Sequence, residues 1–317
     1  MTPGAPRGVR KGWAMRAWVG IDLGGTNARL ALVHQGRVRE HLRFATEAGR
    51  GPDDLVQRLA NGVAELGRSA ATQGLTLAGV GIASPGVLDR ARGVVLASPN
   101  LPAMEGYPLA ERLAAVCGAP VALDNDANLY ALGEHRFGAG QGVDDLVCLT
   151  LGTGVGGGLI LGGRLVVGPL GCGGEIGHTL VEPGGRKCGC KARGCLEAYA
   201  SATGLTAALQ EALAAGRPTS LGPGDGVRAM DLAAQAGDPL AVELFRQAGL
   251  MLGRALANLG VEVVLGDEAE APLREDAVLG LPACRDPVER LRTVQFNDLR
   301  PMFAKAGSAL PSEPWGA

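Results

Sequence analysis

The stretch that decides the fold is A-W-V-G-I-D-L-G-G-T-N-A-R-L-A-L-V, residues 17–33. Two apolar runs around a short Gly/Thr segment predict a β-hairpin with a glycine-lined tip. A similar pattern, V-C-L-T-L-G-T-G-V-G-G-G-L-I-L, recurs at residues 147–161. Glycines let backbone N–H groups approach an anion, and Thr26 and Thr153 add hydroxyl donors. Each segment alone is compatible with an ordinary tight hairpin, but the pair favours two phosphate-binding turns on two related domains.

The rest of the chain alternates between strand and helix patterns, which predicts an α/β protein. The strands are expected at 77–86, 120–128 and 261–266. The helices are expected at 53–70, 108–118, 129–137, 196–215 and 239–259.

Composition narrows the class of protein. A chain of 317 residues is long enough for two domains, and we place them at 17–124 and 125–317, after a disordered arm at 1–16. The formal net charge of −2 gives no reason to expect a nucleic-acid partner. No apolar run approaches the length of a membrane span, and the N-terminus lacks the apolar region of a signal peptide. We therefore expect a cytoplasmic protein with no membrane partner.

The seven cysteines are clustered rather than paired along the chain, which favours reduced thiols over a disulfide framework. Cys188, Cys190 and Cys195 lie within eight residues, and His178 precedes them by ten. One imidazole and three thiolates form the ligand set of a closed, four-coordinate structural zinc site. The alternative is a set of small buried side chains beside an unrelated histidine, and the tight spacing favours the metal.

A polar cluster, D-N-D-A-N at 124–128, follows a predicted buried strand. Asn125 or Asp126 could cap the next helix. Ligands of open α/β sheets bind at the carboxyl ends of strands, however, and a carboxylate there is suited to accept a proton from a substrate hydroxyl. We therefore favour Asp126 as a general base, and the two roles are compatible.

Taken together, these motifs resemble the ROK family of sugar kinases and repressors, within the actin-like ATPase/hexokinase fold. The resemblance runs from about Met15 to about Gly266. It rests on D-L-G-G-T-N (22–27), G-I-A-S-P-G (81–86), S-P-N-L (98–101), D-N-D-A-N (124–128), L-G-T-G-V-G-G-G (151–158), G-E-I-G-H (174–178) and C-G-C-x-x-x-G-C-L-E (188–197).

The resemblance implies two α/β domains of the ribonuclease H type with a cleft between them, assembled as a homodimer or a dimer of dimers. It implies transfer of phosphate from Mg-ATP to the 6-hydroxyl of a hexose, most simply glucose, with Asp126 as the base. The ATP-binding residues would be Asp22, Gly24, Gly25, Thr26, Asn27, Gly152, Thr153 and Gly154, with Asp22 acting on Mg²⁺ through water. The sugar-binding residues would be Gly86, Asn100, Asn125, Asp126, Glu175, His178 and Glu197. His178 would serve Zn²⁺ and the sugar through different ring nitrogens.

Other functions are compatible with the same motifs. The protein could phosphorylate another hexose, an N-acetylhexosamine or fructose, or it could be a sugar-binding homologue without catalysis. A repressor of this family would need a DNA-binding domain before the first strand. Only about sixteen residues precede that strand, so we set the repressor aside.

The sequence departs from the family pattern in two places. Lys191 follows the second cysteine, where the family usually has glycine, and we expect a local backbone adjustment with the metal retained. From residue 267 to 317 the sequence diverges, and Asp267 and Glu268 stand where a glycine pair would contact adenosine. This departure leaves adenosine binding open.

Overall fold

The computed structural model describes residues 15–98, 100–169 and 171–259. The predictions for 1–14, for the strand at 261–266 and for the divergent segment 267–317 lie outside these residues. Contacts divide the chain into two units. Of the described residues, the first unit contains those up to Leu129 together with Gly168, Pro169, Gly171 and Cys172, and the second contains Tyr130–Val167 and those from Gly173 to Leu259.

The first unit is built on a five-stranded mixed sheet with strand order β3-β2-β1-β4-β7. These strands are β1 (Arg16–Leu23), β2 (Asn27–His34), β3 (Arg37–Ala45), β4 (Thr76–Ser84) and β7 (Val121–Asn125). A small hairpin is formed by β5 (Val87–Asp89) and β6 (Val94–Ala97). The helices are α1 (Pro52–Thr72) and α2 (Leu109–Cys117), and α3 (Asp126–Phe137) follows β7 directly. Strands β4 and β7 run parallel, so the polar turn after β7 emerges at the carboxyl edge of the sheet.

The predicted hairpin at 17–33 is present, since β1 and β2 pair in antiparallel fashion. Alternate residues of β1 face the core. Ala17, Val19, Ile21 and Leu23 are at most 2% exposed. Asp22 lies between two of these buried residues and projects to the other face, where it is exposed. The same alternation that builds the core therefore presents a carboxylate just before the glycine turn.

Within the described residues, the second unit combines a three-stranded antiparallel sheet with the larger part of α3 and with four helices that follow the sheet. Its strands are β8 (Leu146–Leu151), β9 (Val155–Leu161) and β10 (Arg164–Leu165). Its helices are α4 (Glu197–Ala200), α5 (Ala202–Ala214), α6 (Val227–Gln235) and α7 (Pro239–Asn258). Strands β8 and β9 form the second predicted hairpin. Buried side chains of this hairpin, such as Leu149, pack in one cluster with Leu196 and with Leu252 of α7.

Three helix predictions need correction. The helix expected at 129–137 begins at Asp126, because the Asn125 side chain caps it directly at the end of β7. By contacts, the first turn of this helix belongs to the first unit. The helix expected at 196–215 is divided at Ser201, which has an extended backbone and caps α5. The third case is α6, which was not predicted.

Within the described residues, no helix combines the length and apolarity needed to cross a membrane.

Asp238 is an N-cap with an unusually complete set of partners. Its Oδ1 atom accepts hydrogen bonds from the N–H groups of Leu240 and Ala241, both at 3.0 Å. Its Oδ2 atom accepts from the Ser220 N–H at 2.7 Å and from the hydroxyls of Thr219 and Ser220 at 2.8 and 2.9 Å. Burial alone would raise the pKa of Asp238, but these hydrogen bonds lower it overall. The carboxylate therefore ties the segment before α6 to the start of α7.

We expect Asp238→Ala to lower the free energy of unfolding by about 2 kcal/mol, the upper end for loss of an N-cap. Ser201→Ala is the matched control, because Ser201 caps α5 with a single hydrogen bond to the Gly204 N–H and should cost about 1 kcal/mol. Because the folded pKa of Asp238 is lowered, its contribution is present above the unfolded value of 3.8 and is lost as the pH falls below it. Urea unfolding at pH 7 and at pH 3 checks both points. An equal cost for the two variants at pH 7 would contradict this account.

Candidate active site

The first glycine turn, residues 24–26, is held by hydrogen bonds of the Gly24 peptide groups with Asn27 and Thr46. The Gly24 N–H donates to the Asn27 carbonyl at 2.9 Å, and the Thr46 hydroxyl donates to the Gly24 carbonyl at 2.6 Å. A Cβ atom at Gly25 would lie 2.8 Å from the backbone oxygen of Asn100. The turn therefore has no room for a side chain at Gly25, and it lies against the loop that contains Asn100.

Two side chains beside this turn have cationic partners. The Asp22 carboxylate is exposed and pairs with Arg29 at 3.2 Å. The Asn27 side-chain oxygen accepts from Arg43 Nε at 3.3 Å. The Arg29 guanidinium is itself exposed, so this contact does not close Asp22 off from solvent. Asp22 thus remains accessible to a hydrated cation.

The polar turn after β7 is organised by Asn125. Its Oδ1 atom accepts from the N–H groups of Ala127 and Asn128 at 2.9 and 3.3 Å, which is N-cap geometry. Its Nδ2 atom donates to the Gly86 carbonyl at 3.4 Å. Asn125 is therefore the cap, and the adjacent Asp126 occupies the first helical position.

Asp126 has an environment suited to a base. More than a third of its surface is open to solvent, yet the packing of protein atoms around the carboxyl group raises its pKa. The hydrogen bond from the Ala127 N–H opposes this effect, and the negative charge of Asp22 adds to it. A carboxylate whose pKa is raised toward neutrality is a better proton acceptor at neutral pH.

Gly86 packs closely against Ala97 and Ser98. Gly86 has a φ of +104°, and a Cβ atom on it would overlap the Ala97 carbonyl oxygen. Only glycine fits both restrictions. The neighbouring Ser98 hydroxyl is buried and has no hydrogen-bond partner in the described part of the chain. Gly86, Asn100 and Asn125 are thus brought to the same region of the first unit as the glycine turn.

The second glycine turn, residues 152–154, is fixed by the start of α5. The Ala202 N–H donates to the Gly152 carbonyl at 2.8 Å. The Thr203 hydroxyl donates to the Thr153 carbonyl at 2.8 Å. Because these hydrogen bonds are accepted by carbonyl oxygens of the turn, they fix the orientation of its peptide planes. Thr203 was not among the predicted site residues, because nothing in the local sequence pattern links it to a turn fifty residues away.

Glu197 lies between this turn and the cysteine cluster. Its Oε2 atom accepts from the Val155 N–H at 3.1 Å, and its Oε1 atom lies 3.5 Å from Cys188 Sγ. A Cβ atom on Gly154 would lie 2.5 Å from Oε2. Gly154 is therefore required for the close approach of Glu197 as well as for the turn.

Glu175 immediately precedes a turn of 3-10 helix, Ile176–His178, and its carbonyl accepts a hydrogen bond from the His178 N–H at 3.0 Å. A Cβ atom on Gly177 would overlap the carbonyl oxygen of Val155 in β9. This glycine, which sequence analysis did not single out, lets the turn pack directly on the strand that follows the second glycine turn. The structure thus brings His178 and Glu197 to the same cluster.

The donor atoms of His178, Cys188, Cys190 and Cys195 all lie within 4.8 Å of one another. Tetrahedral zinc, with Zn–S of about 2.3 Å and Zn–N of about 2.0–2.1 Å, requires separations of about 3.8 Å between two sulfurs and about 3.6 Å between sulfur and nitrogen. The Cys190 and Cys195 sulfurs are 3.7 Å apart, and Cys188 Sγ is 3.6 Å from His178 Nδ1. The four residues therefore fit a zinc ion, with Nδ1 as the histidine donor atom.

Lys191 shows why this position favours glycine. Its φ is +74°, in the left-handed region, and its N–H donates to the Cys188 carbonyl at 3.0 Å. A non-glycine residue in this conformation costs about 1–2 kcal/mol. The cysteine loop thus keeps a tight turn at the expense of local strain.

We expect Lys191→Gly to raise the free energy of unfolding by about 1 kcal/mol. Lys191→Ala is the control, since it removes the same long side chain but keeps the restriction on φ, and it should change stability little. Thermal melting of both variants in the presence of zinc gives the comparison. Equal stabilisation by alanine and glycine would show that the Lys191 side chain, rather than its backbone, carries the cost.

The comparisons with known proteins agree with this architecture. The model of the ROK family matches residues 18–264. A glucokinase of Thermotoga maritima is 44% identical over 194 residues, which cover 61% of this chain and 60% of that protein, less than two thirds of its length. N-acetylmannosamine kinases also match, at 35% identity for the one from Shigella boydii, over 75% of this chain and 77% of that protein.

Two solved structures have a fold similar to that of this chain. A ROK hexokinase from Thermus thermophilus is 38% identical, with a TM-score of 0.68 over 78% of this chain and 80% of that chain. A ROK family glucokinase from Streptomyces griseus, in complex with glucose and AMPPNP, is 38% identical, with a TM-score of 0.60 over 77% and 79% of the two chains. The fold is thus the α/β fold of the actin-like ATPase type that these hexokinases share. The chain belongs to the ROK family.

Proposed function

We propose that this protein is an ATP-dependent hexose kinase that converts glucose to glucose 6-phosphate. The observation that carries the proposal is Asp126, a carboxylate with a raised pKa that directly follows β7, in a chain that is 44% identical to a glucokinase over 194 residues. Asp126 accepts the proton of the sugar 6-hydroxyl while the hydroxyl oxygen attacks the γ-phosphorus of ATP. The bond from phosphorus to the ADP oxygen breaks, and ADP leaves with the electron pair.

The phosphate-binding role is assigned to the two glycine turns. Phosphoryl transfer depends on positioning and on stabilisation of charge, and fixed backbone N–H groups supply both. Gly24, Gly25, Thr26 and Asn27 belong to one turn, and Gly152, Thr153 and Gly154 to the other. Mg²⁺, bound with the nucleotide, would neutralise phosphate charge, and the exposed carboxylate of Asp22 would hold one of its water ligands.

The sugar-binding role is assigned to Gly86, Asn100, Asn125, Glu175, His178 and Glu197. Carboxylates, amides and an imidazole supply the acceptors and donors that sugar hydroxyls need. His178, Cys188, Cys190 and Cys195 would hold a structural zinc ion. With His178 Nδ1 as the donor atom, Nε2 would remain for the sugar, and the metal would fix the tautomer of the ring. Zinc bound there would act on sugar affinity without taking part in phosphoryl transfer. We also propose a cytoplasmic homodimer, on the family resemblance.

A coupled assay with Mg-ATP and a panel of glucose, mannose, fructose, N-acetylmannosamine and N-acetylglucosamine tests the proposal. Glucose should give the highest kcat/KM. A preference for N-acetylmannosamine would instead indicate an N-acetylmannosamine kinase, the other kind of kinase among the relatives. Absence of turnover, with glucose still raising the melting temperature, would identify a sugar-binding homologue without catalysis.

A further inference from the structure

Asp124, the residue before the cap of α3, is a buried carboxylate that pairs with an arginine far from it in the sequence. Asp124 is 6% exposed, and its Oδ2 atom lies 2.5 Å from Nη2 of Arg90. Arg90 belongs to the turn 90–93 that joins β5 to β6. A buried carboxylate without a cationic partner is costly, so this pair constrains where Asp124 can lie.

The second oxygen of Asp124 is used at the same time. Oδ1 accepts from the Asn125 N–H at 2.8 Å and from Asn128 Nδ2 at 3.2 Å. The carboxylate is therefore fixed by Arg90 on one side and fixes the polar turn on the other.

The turn held in this way carries the proposed base. Asn125 caps α3 through the N–H groups of Ala127 and Asn128, and Asp126 is the first residue of that helix. A displacement of Asp124 would tilt the peptide of Asn125 and so move the Asp126 carboxylate. A shift of about 1 Å in a reacting group can lower a rate by about 10²-fold.

We propose that Arg90 is a positioning residue for Asp126 and acts through Asp124. The inference rests on the proposed kinase function. Arg90 holds the buried carboxylate in the orientation that sets the Asn125 peptide, and this peptide sets the direction of Asp126. Arg90 thereby affects the chemical step more than the binding of sugar or ATP.

Arg90→Ala should lower kcat by about 10- to 100-fold and leave the KM values for sugar and ATP within about threefold. Arg90→Lys restores a positive charge beside Asp124 and should bring kcat back to within about tenfold of wild type. Arg90 and Asp124 line a cavity of about 510 Å³, so truncation leaves space that water can fill. If Arg90→Ala does not fold, Arg90→Gln, which keeps a donor and loses the charge, takes its place with the same expected loss in kcat.

The matched control is Arg92→Ala, in the same turn. The Arg92 side chain is 76% exposed. Among the ion pairs of the described residues, its only partner is Asp89, at 3.8 Å. Its kcat should stay within about twofold of wild type. Asp124→Asn supplies the partner test, since adding Arg90→Ala to that variant should lower kcat by less than about threefold further.

The outcomes separate this inference from the proposed function. No turnover of any sugar by the wild-type protein would overturn the kinase proposal and the inference with it. Turnover by wild type, with kcat for Arg90→Ala unchanged or with only its KM values raised, would overturn the inference alone. Fully additive losses for the two substitutions would also overturn it, because they would show that Arg90 does not act through Asp124.

Discussion

Asp126→Asn is expected to lower kcat by about 10²- to 10⁴-fold, the range for loss of a general base, with the KM for the sugar within about threefold. Asparagine has nearly the same shape and can still accept the hydrogen bond that the Ala127 N–H donates to Oδ1 at 2.9 Å. The amide cannot take a proton from the sugar hydroxyl. Steady-state kinetics with Mg-ATP and glucose measure the split between kcat and KM.

The same variant should melt at a higher temperature than wild type at pH 7. The folded pKa of Asp126 is raised, so the ionised carboxylate is less favourable in the folded protein than in the unfolded chain. This cost is absent below the unfolded value of 3.8 and grows as the pH rises through the folded pKa. Melting curves from pH 3 to pH 7 should therefore show the gain for Asp126→Asn appearing as the pH increases.

Glu111→Gln is the control for both measurements. Glu111 is an exposed residue of α2, and its substitution makes the same change from carboxylate to amide. It should leave both kcat and the melting temperature unchanged. Loss of stability in Asp126→Asn, together with a kcat close to that of wild type, would mean that Asp126 serves only the helix terminus.

Cys195→Ser should reduce bound zinc from about one ion per chain to near zero and lower stability by more than about 3 kcal/mol, as expected for loss of a structural metal. Cys195 is completely buried, so a serine hydroxyl could replace neither the thiolate nor the packing. At about 2–4 °C per kcal/mol, the melting temperature should fall by on the order of 10 °C. Elemental analysis and thermal melting, with and without a chelator, give the two values.

Cys172→Ser makes the same substitution at an exposed cysteine outside the cluster and should retain zinc and stability. In Cys195→Ser the KM for sugar should rise more than kcat falls, because His178 and Glu197 lie at the cluster while Asp126 belongs to the other unit. Chelation should have no further effect on this variant. Full zinc occupancy in Cys195→Ser would rule out the proposed ligand set.

Local patterns were sufficient to predict the two hairpins. Their strands are six to eight residues long and are either alternating or continuously apolar, and the glycines lie where the chain turns. The cysteine cluster was predictable for a similar reason, since its three thiols lie on one short loop. Both inferences depend on residues that are close in the chain.

The features that sequence analysis missed depend on contacts between distant residues or on competition at a helix end. The hydrogen bond from Val155 to Glu197 joins residues 42 positions apart, and nothing in either segment indicates the other. The pair of Arg90 with Asp124 is of the same kind. The start of α3 was placed too late because three consecutive polar residues look like a loop, whereas Asn125 caps a helix that begins at the next residue.

The most direct test of the central claim is the product formed by the purified protein. Mg-ATP and glucose would be followed by ³¹P NMR, for wild type and for Asp126→Asn. The account predicts that wild type forms glucose 6-phosphate and ADP in equal amounts, and that the variant forms neither at a comparable rate. Intact ATP and glucose after prolonged incubation with the wild-type protein would contradict it, as would phosphorylation at a different hydroxyl.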